Sequence, residues 1–301
     1  MRFAHRLDAL HSIHWFTVGR LIAAKEAEGI DVIRLASGNP DLPTPPEVVA
    51  MLREAALNPI FHRYPFSFQT DLRQAIAQWY ERRFGVDLDP ETEVHPLAGS
   101  LEGIGNLSMA VMEAGAVALV PDPAFGSYAR AALFAGGEVH HLPLREENGH
   151  LADLAAVPTD VLRQARLLWL NYPNNPTGAV APLPYFEQVI AFAREHEWLV
   201  CHDNAYSDIV FGDYVAPSLL AVEGAKDVAI ELNSLSQAFN MAGWRVGMAV
   251  GNARALSTLA QVGWNTGMGL FGPVQLAAIE ALTGDQDWML ARNDIYRQRR
   301  D

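Results

Sequence analysis

Two serine hydroxyls and one guanidinium stand within twelve residues of this chain, in Ser234-Leu235-Ser236-Gln237-Ala238-Phe239-Asn240-Met241-Ala242-Gly243-Trp244-Arg245. Arginine offers a planar fork of donors and serine adds short ones, so together they can grip one anion such as a phosphate. A second anion seat is Gly99-Ser100-Leu101-Glu102-Gly103, which opens a stretch whose apolar residues Ile104, Leu107, Val111 and Met112 share one helical face. The free N–H groups and positive dipole end of such a helix suit a phosphate. Taken alone, Ser100 fits an ordinary helix N-cap equally well. Asp203, in His202-Asp203-Asn204-Ala205-Tyr206, comes directly off an apolar run. A lone carboxylate there is costly unless a cation or donor meets it, or unless it caps the next segment.

The elements that must position these groups follow from the hydrophobic pattern. From residue 92 onward, extended runs at 92–97, 116–121, 138–143, 166–171, 197–202, 227–233 and 245–250 alternate with helical patterns at 100–113, 127–135 and 184–196, and more weakly around 151–164. Such alternation predicts an α/β fold, a seven-stranded, mostly parallel sheet with helices on both faces. The last two runs are joined by a connection with no helical pattern, which predicts antiparallel neighbours. Ligands of parallel sheets sit beyond the carboxyl ends of the strands, and the polar strings fall there. Two more join them: Pro121-Asp122-Pro123-Ala124-Phe125-Gly126 after the second run, and Asn171-Tyr172-Pro173-Asn174-Asn175-Pro176-Thr177-Gly178 after the fourth. Helical patterns at 18–30, 46–57, 71–84 and 287–301 flank this unit, and Ser37–Pro45 is dense in turn formers.

These strings, in this order, resemble the active-site segments of the fold-type I pyridoxal-phosphate aminotransferases, class I/II, nearest in flavour to the alanine and LL-diaminopimelate aminotransferases. The family pattern at 234–245 is Ser-x-Ser-Lys with Arg eight residues on, the lysine forming the Schiff base with the cofactor and moving the α-proton. That position holds Gln237. The resemblance implies that Ser100, Leu101, Ser234, Ser236 and Arg245 surround the cofactor phosphate, Leu101 standing where the family usually has another lysine. It implies that Phe125 stacks on the ring, that Asn175 and Tyr206 bond its phenolic oxygen, and that Asp203 pairs with the protonated ring nitrogen. Gly38 would lie near the substrate carboxylate. Tyr64 and Thr266 would approach a partner subunit's phosphate, which implies a homodimer. A glycine that the family places after this tyrosine is missing from Phe66-Ser67-Phe68-Gln69-Thr70.

The implied organisation is residues 1–45 as the N-terminal segment of a small domain plus an active-site loop, 46–275 as the pyridoxal-phosphate-binding large domain, and 276–301 as the start of a truncated C-terminal small domain. The remainder of that domain, with the arginine that clamps the substrate carboxylate, has no counterpart. The family reaction moves an amino group between an amino acid and a 2-oxo acid. An amide nitrogen is not a nucleophilic amine, so Gln237 leaves that activity lost or impaired and any cofactor held non-covalently. The alternatives are a non-catalytic descendant that binds the cofactor or its amino-acid adducts, and a decayed, truncated homologue.

Composition narrows the field. A formal charge of −13 argues against nucleic-acid or anionic-membrane partners. No apolar run approaches membrane-spanning length, and Met1–Arg20 lacks the pattern of a signal peptide, so a cytoplasmic location is expected. The single cysteine, Cys201, lies in an apolar run and offers no disulfide framework. The ten histidines show no metal spacing, and no metal is expected. Gly267-Met268-Gly269-Leu270-Phe271-Gly272 matches a dinucleotide fingerprint as a string but follows a helical pattern rather than a strand. Only Lys25 and Lys226 occur beside twenty arginines, and neither aligns near the site.

Overall fold

Seven short runs form one sheet: β1 (Val94–Leu97), β2 (Val117–Asp122), β3 (Glu138–Pro143), β4 (Ala165–Leu170), β5 (Leu199–Asp203), β6 (Ala229–Ser234) and β7 (Gly247–Gly251). The structure is a computed structural model and describes residues 2, 4–7, 14–35, 38–64, 69–267 and 269–301. The Phe66-Ser67-Phe68 stretch and Met268 lie outside the described residues.

The strand order is β1-β7-β6-β5-β4-β2-β3. Strands β2 to β6 pair in parallel, whereas β7 is antiparallel to both β6 and β1. The sheet is therefore mostly parallel, as expected, with the reversal where the short connection predicts it. Alternate residues feed two cores. Ala118, Leu167, Trp169, Cys201, Ile230, Leu232 and Ala249 face one side, with the helices Ser100–Val111 and Ala253–Thr266. Leu119, Leu168, Leu170, Val200, Ala229 and Val250 face the other, with the helices Gln69–Phe84, Leu183–His196 and Gly272–Thr283. Strands covered on both sides read as near-continuous apolar runs, which is why they were visible in the sequence.

The connection from β6 to β7 differs from expectation in one respect. It contains a one-turn helix, Leu235–Ala238, and a 3₁₀ turn, Ala242–Trp244. One turn is too short for a 3.6-residue period to register, so the pattern was silent there. Both flanks of the chain hold this connection. Thr44 Oγ1 donates to the Asn240 carbonyl at 2.8 Å, and Asn240 Nδ2 donates to the Pro43 carbonyl at 3.1 Å. From the helix Trp288–Arg300, the buried Arg292 donates to the carbonyls of Ala238 and Asp208.

The string Gly267–Gly272 joins the helices Ala253–Thr266 and Gly272–Thr283 rather than following a strand. That is the wrong setting for a dinucleotide-binding turn. Among the described residues no helix is long and apolar enough to cross a membrane.

Candidate active site

Because β1, β2, β4, β5 and β6 run one way and β7 runs back, the carboxyl ends of five strands and the amino end of β7 share one edge of the sheet. A cavity of about 240 Å³ opens there. It is lined by Ser100, Leu101, Phe125, Asn175, Asp203, Tyr206, Ser234, Ser236, Gln237 and Arg245, the ten cofactor-side residues singled out from sequence. Gly38 lies in a larger neighbouring groove that shares Asn175 and Tyr206 with this cavity. Tyr64 and Thr266 do not line it.

At one end of the cavity the donors for an anion converge. Gly99, not Ser100, is the N-cap of the helix Ser100–Val111, with φ of 84°, so Ser100 is the first helical residue and its N–H is one of the free ones. A Cβ on Gly99 would stand 2.3 Å from Nη2 of Arg245, so the guanidinium lies directly against the helix start. Arg245 itself adopts a left-handed conformation, φ 54°, and donates to the Ala242 carbonyl at 2.9 Å. Ser234 caps the one-turn helix by accepting from the Ser236 N–H at 3.2 Å, and the two hydroxyls are 3.0 Å apart. On the sheet side, a Cβ on Gly247 would meet the Asn233 carbonyl at 2.8 Å and the Ser100 nitrogen at 3.1 Å. Glycine at the start of β7 is what lets helix and strand approach so closely.

The other end is built for a polar ring. Asp203 ends β5 and is buried; its Oδ2 accepts from Tyr128 OH at 2.9 Å, while its Oδ1 has no partner. Burial pushes this carboxyl up to about 6, against the pull of the Tyr128 hydrogen bond. Tyr128 is clamped in turn, stacked on Trp169 at 5.0 Å with Phe125 edge-on to it at 5.8 Å. Asn175 Nδ2 donates to Tyr206 OH at 3.0 Å. Asn171 braces both sides, donating to the Asp203 carbonyl and accepting from the Asn175 N–H, each at 2.7 Å.

Tyr128 and Asn171 line the cavity and were given no role from sequence. The rule that a carboxylate off a buried strand needs a donor signalled that some partner exists. The partner lies 75 residues away in the chain, beyond the reach of any local pattern.

Gln237 is half-buried on the one-turn helix, in the cavity wall. Neither lysine can take its place. Lys226 pairs with Glu93 at 2.8 Å at the amino end of β6, while the cavity lies at the carboxyl end, a strand length of roughly 20 Å away. Lys25, on the helix His14–Ala27, pairs with Glu28 just beyond its end.

Pyridoxal phosphate, the cofactor implied by the motifs, matches this donor set. A phosphate needs a guanidinium, hydroxyls and free helix N–H groups, and these stand together. A protonated pyridine nitrogen needs a buried carboxylate with an open oxygen, which Asp203 Oδ1 supplies.

Comparison with known proteins gives one answer by sequence and by shape. The family model "Aminotransferase class I and II" matches residues 30–301. The LL-diaminopimelate aminotransferase of Dehalococcoides mccartyi is 48% identical over 305 residues, covering 100% of this chain and 78% of that protein. The protein of the same name from Syntrophobacter fumaroxidans is 48% identical over 299 residues, covering 99% and 77%. Among solved structures, substrate-bound BacF from Bacillus subtilis superposes with a TM-score of 0.94 at 40% identity, over 99% of this chain and 76% of that one. A probable N-succinyldiaminopimelate aminotransferase from Thermus thermophilus superposes at 0.91 and 38% identity, over 95% and 77%.

Proposed function

This chain belongs to the class I and II aminotransferases, a pyridoxal-phosphate-dependent family, and from that premise we propose that it binds the cofactor and an amino acid at the cavity described, with little or no turnover. The observation that carries the proposal is the meeting of ten motif residues in one cavity with Gln237 where the family motif has lysine. When bound, pyridoxal phosphate supplies an electron-withdrawing ring that stabilises negative charge at the substrate α-carbon.

The residues divide the remaining work. Ser100, Ser234, Ser236, Arg245 and the free N–H groups at Ser100 and Leu101 hold the phosphate and fix the ring's position. Asp203 would hold a proton on the ring nitrogen, and Tyr128 fixes which way that carboxylate faces. Asn175 and Tyr206 would supply donors to the phenolic oxygen, and Phe125 would offer an apolar ring to the cofactor. Gln237 can donate and accept hydrogen bonds, but at neutral pH it neither carries a proton away from carbon nor acts as an amine nucleophile. Loss of a positioned general base alone lowers rate by about 10²–10⁴, or roughly 3–5 kcal/mol of barrier.

The amino acid we propose is one of the diaminopimelate class, on the names of the relatives above. The proposal includes a homodimer in the cytoplasm, with 46–275 as the cofactor domain and 1–45 and 276–301 as parts of a second, smaller one. The test is a spectral titration of the purified protein with pyridoxal phosphate, followed by an assay with LL-diaminopimelate and a 2-oxo acid. Binding without borohydride-stable attachment, and transfer close to background, is the expected result. Transfer at rates ordinary for these enzymes would sink the reading.

A further inference from the structure

Directly behind Asp203, on the opposite face of the sheet, sits a fully buried carboxylate that no part of the reaction above uses. Glu231 pairs across β5 and β6 with His202 and lies in the apolar core with Val200 and Ala229. Its Oε1 accepts from Tyr80 OH at 3.0 Å, Asn204 Nδ2 at 3.2 Å and Ser218 Oγ at 3.1 Å. Its Oε2 accepts from His202 Nδ1 at 2.8 Å, Ser218 Oγ at 3.1 Å and the Leu219 N–H at 3.0 Å. Two of these donors, His202 and Asn204, are the chain neighbours of Asp203 on either side. The far nitrogen of His202 reaches the backbone of Tyr172, one residue from the Asn171 that holds the Asp203 carbonyl.

We propose that Glu231 is a positioning residue for the cofactor's ring nitrogen: by gripping residues 202 and 204 it fixes the backbone of Asp203, and so aims the open Oδ1 into the cavity. A role in stability alone would not need this residue type. Replacing a buried ionic cluster by apolar side chains of similar volume is often neutral or stabilising, whereas a carboxylate with donors on three separate segments of the chain fixes directions. A shift of an ångström at a reacting group is enough to cost about a hundredfold. The inference rests on the proposed cofactor binding.

The test compares the parent with Glu231→Gln, Asn204→Ala and Tyr80→Phe, using pyridoxal phosphate labelled with ¹⁵N at the ring. Glutamine keeps the volume and can still accept from Leu219 and His202. Asn204→Ala removes a carbonyl oxygen that has no partner of its own, so it is expected to fold if the first variant does not. Tyr80→Phe loosens the network from the helix side and touches neither neighbour of Asp203, so it controls for stability. The expected result is cofactor binding weakened about tenfold or more in Glu231→Gln and to a smaller extent in Asn204→Ala. In both, the ring nitrogen resonance should move toward the unprotonated position, and in Tyr80→Phe both readouts should match the parent. Folded variants with unchanged affinity and an unchanged resonance overturn the proposal. So does a Tyr80→Phe variant that loses as much as Glu231→Gln, since the effect is then one of stability. A parent that takes up no pyridoxal phosphate overturns the reading of the site and this inference with it, whereas a parent that binds while all variants bind equally overturns this inference alone.

Discussion

Asp203 is the residue at which function and stability pull in opposite directions. Its carboxyl is raised from 3.8 to about 6 by burial, so in the ligand-free protein the ionised form is disfavoured. A folded-state pKa above the unfolded one contributes stability that is fully present below about pH 4 and is lost as pH rises through about 6. At about 1.4 kcal/mol for each pH unit, the loss at neutral pH is on the order of 3 kcal/mol. Asp203→Asn should therefore unfold at higher denaturant than the parent at pH 7, while the two converge near pH 4 and the variant binds pyridoxal phosphate more weakly. Denaturation midpoints that stay parallel across that range would contradict the account. Gln237 makes a complementary prediction. Gln237→Lys should allow borohydride to fix the cofactor to residue 237, read by intact mass, and the parent should show no such adduct. If that variant takes up the cofactor no differently from the parent, the alignment of residue 237 with the family lysine is wrong.

At the scale of elements, the site depends on the helix Ser100–Val111 and the β6–β7 connection meeting at two glycines. Gly99 is in the left-handed region, and any Cβ there would press on the Arg245 guanidinium at 2.3 Å. Gly99→Ala should cost about 1 kcal/mol in backbone strain. It should also displace Arg245, weakening binding of inorganic phosphate or the cofactor about tenfold in an equilibrium titration, while Gly105→Ala, which meets nothing within 4 Å, should bind normally. These elements were legible in the sequence because buried parallel strands make long apolar runs and turn residues cluster where those runs end. Asp203 and Ser234 stand at strand ends and could be picked out from the apolar runs, whereas the roles given to Asn175 and Arg245 came from the resemblance of their strings to the family's. Three features were not: the one-turn helix under Gln237, Tyr128 as the Asp203 donor, and Glu231, which the pattern reads as an ordinary strand position. The helix is too short for a period to register, while the roles of Tyr128 and Glu231 depend on contacts between segments far apart in the chain, and periodicity carries only local information.

For the molecule as a whole, the question is whether one copy completes the site. Tyr64 is 70% exposed, Phe271 52% and Trp264 42%. Gly272, next to Phe271, packs against Phe61, and a Cβ on Gly267 would come within 3.6 Å of Glu102 Oε1, in the first turn of the helix that forms the anion seat. We propose that a second copy completes the site, because the roles that the family resemblance gives Tyr64 and Thr266 lie across a subunit boundary. Sedimentation at micromolar concentration should then report about 66 kDa, twice the 33.0 kDa chain. Each copy carries a formal charge of −13, so association brings like charges together and should tighten as salt rises toward physiological strength, where the screening length is about 8 Å. In the proposed dimer Tyr64→Ala should leave the mass unchanged yet weaken cofactor binding, as expected of a side chain whose family role is at the neighbouring site. A particle that stays at 33 kDa at every salt concentration would make Tyr64 a packing residue and leave each cavity complete within a single chain.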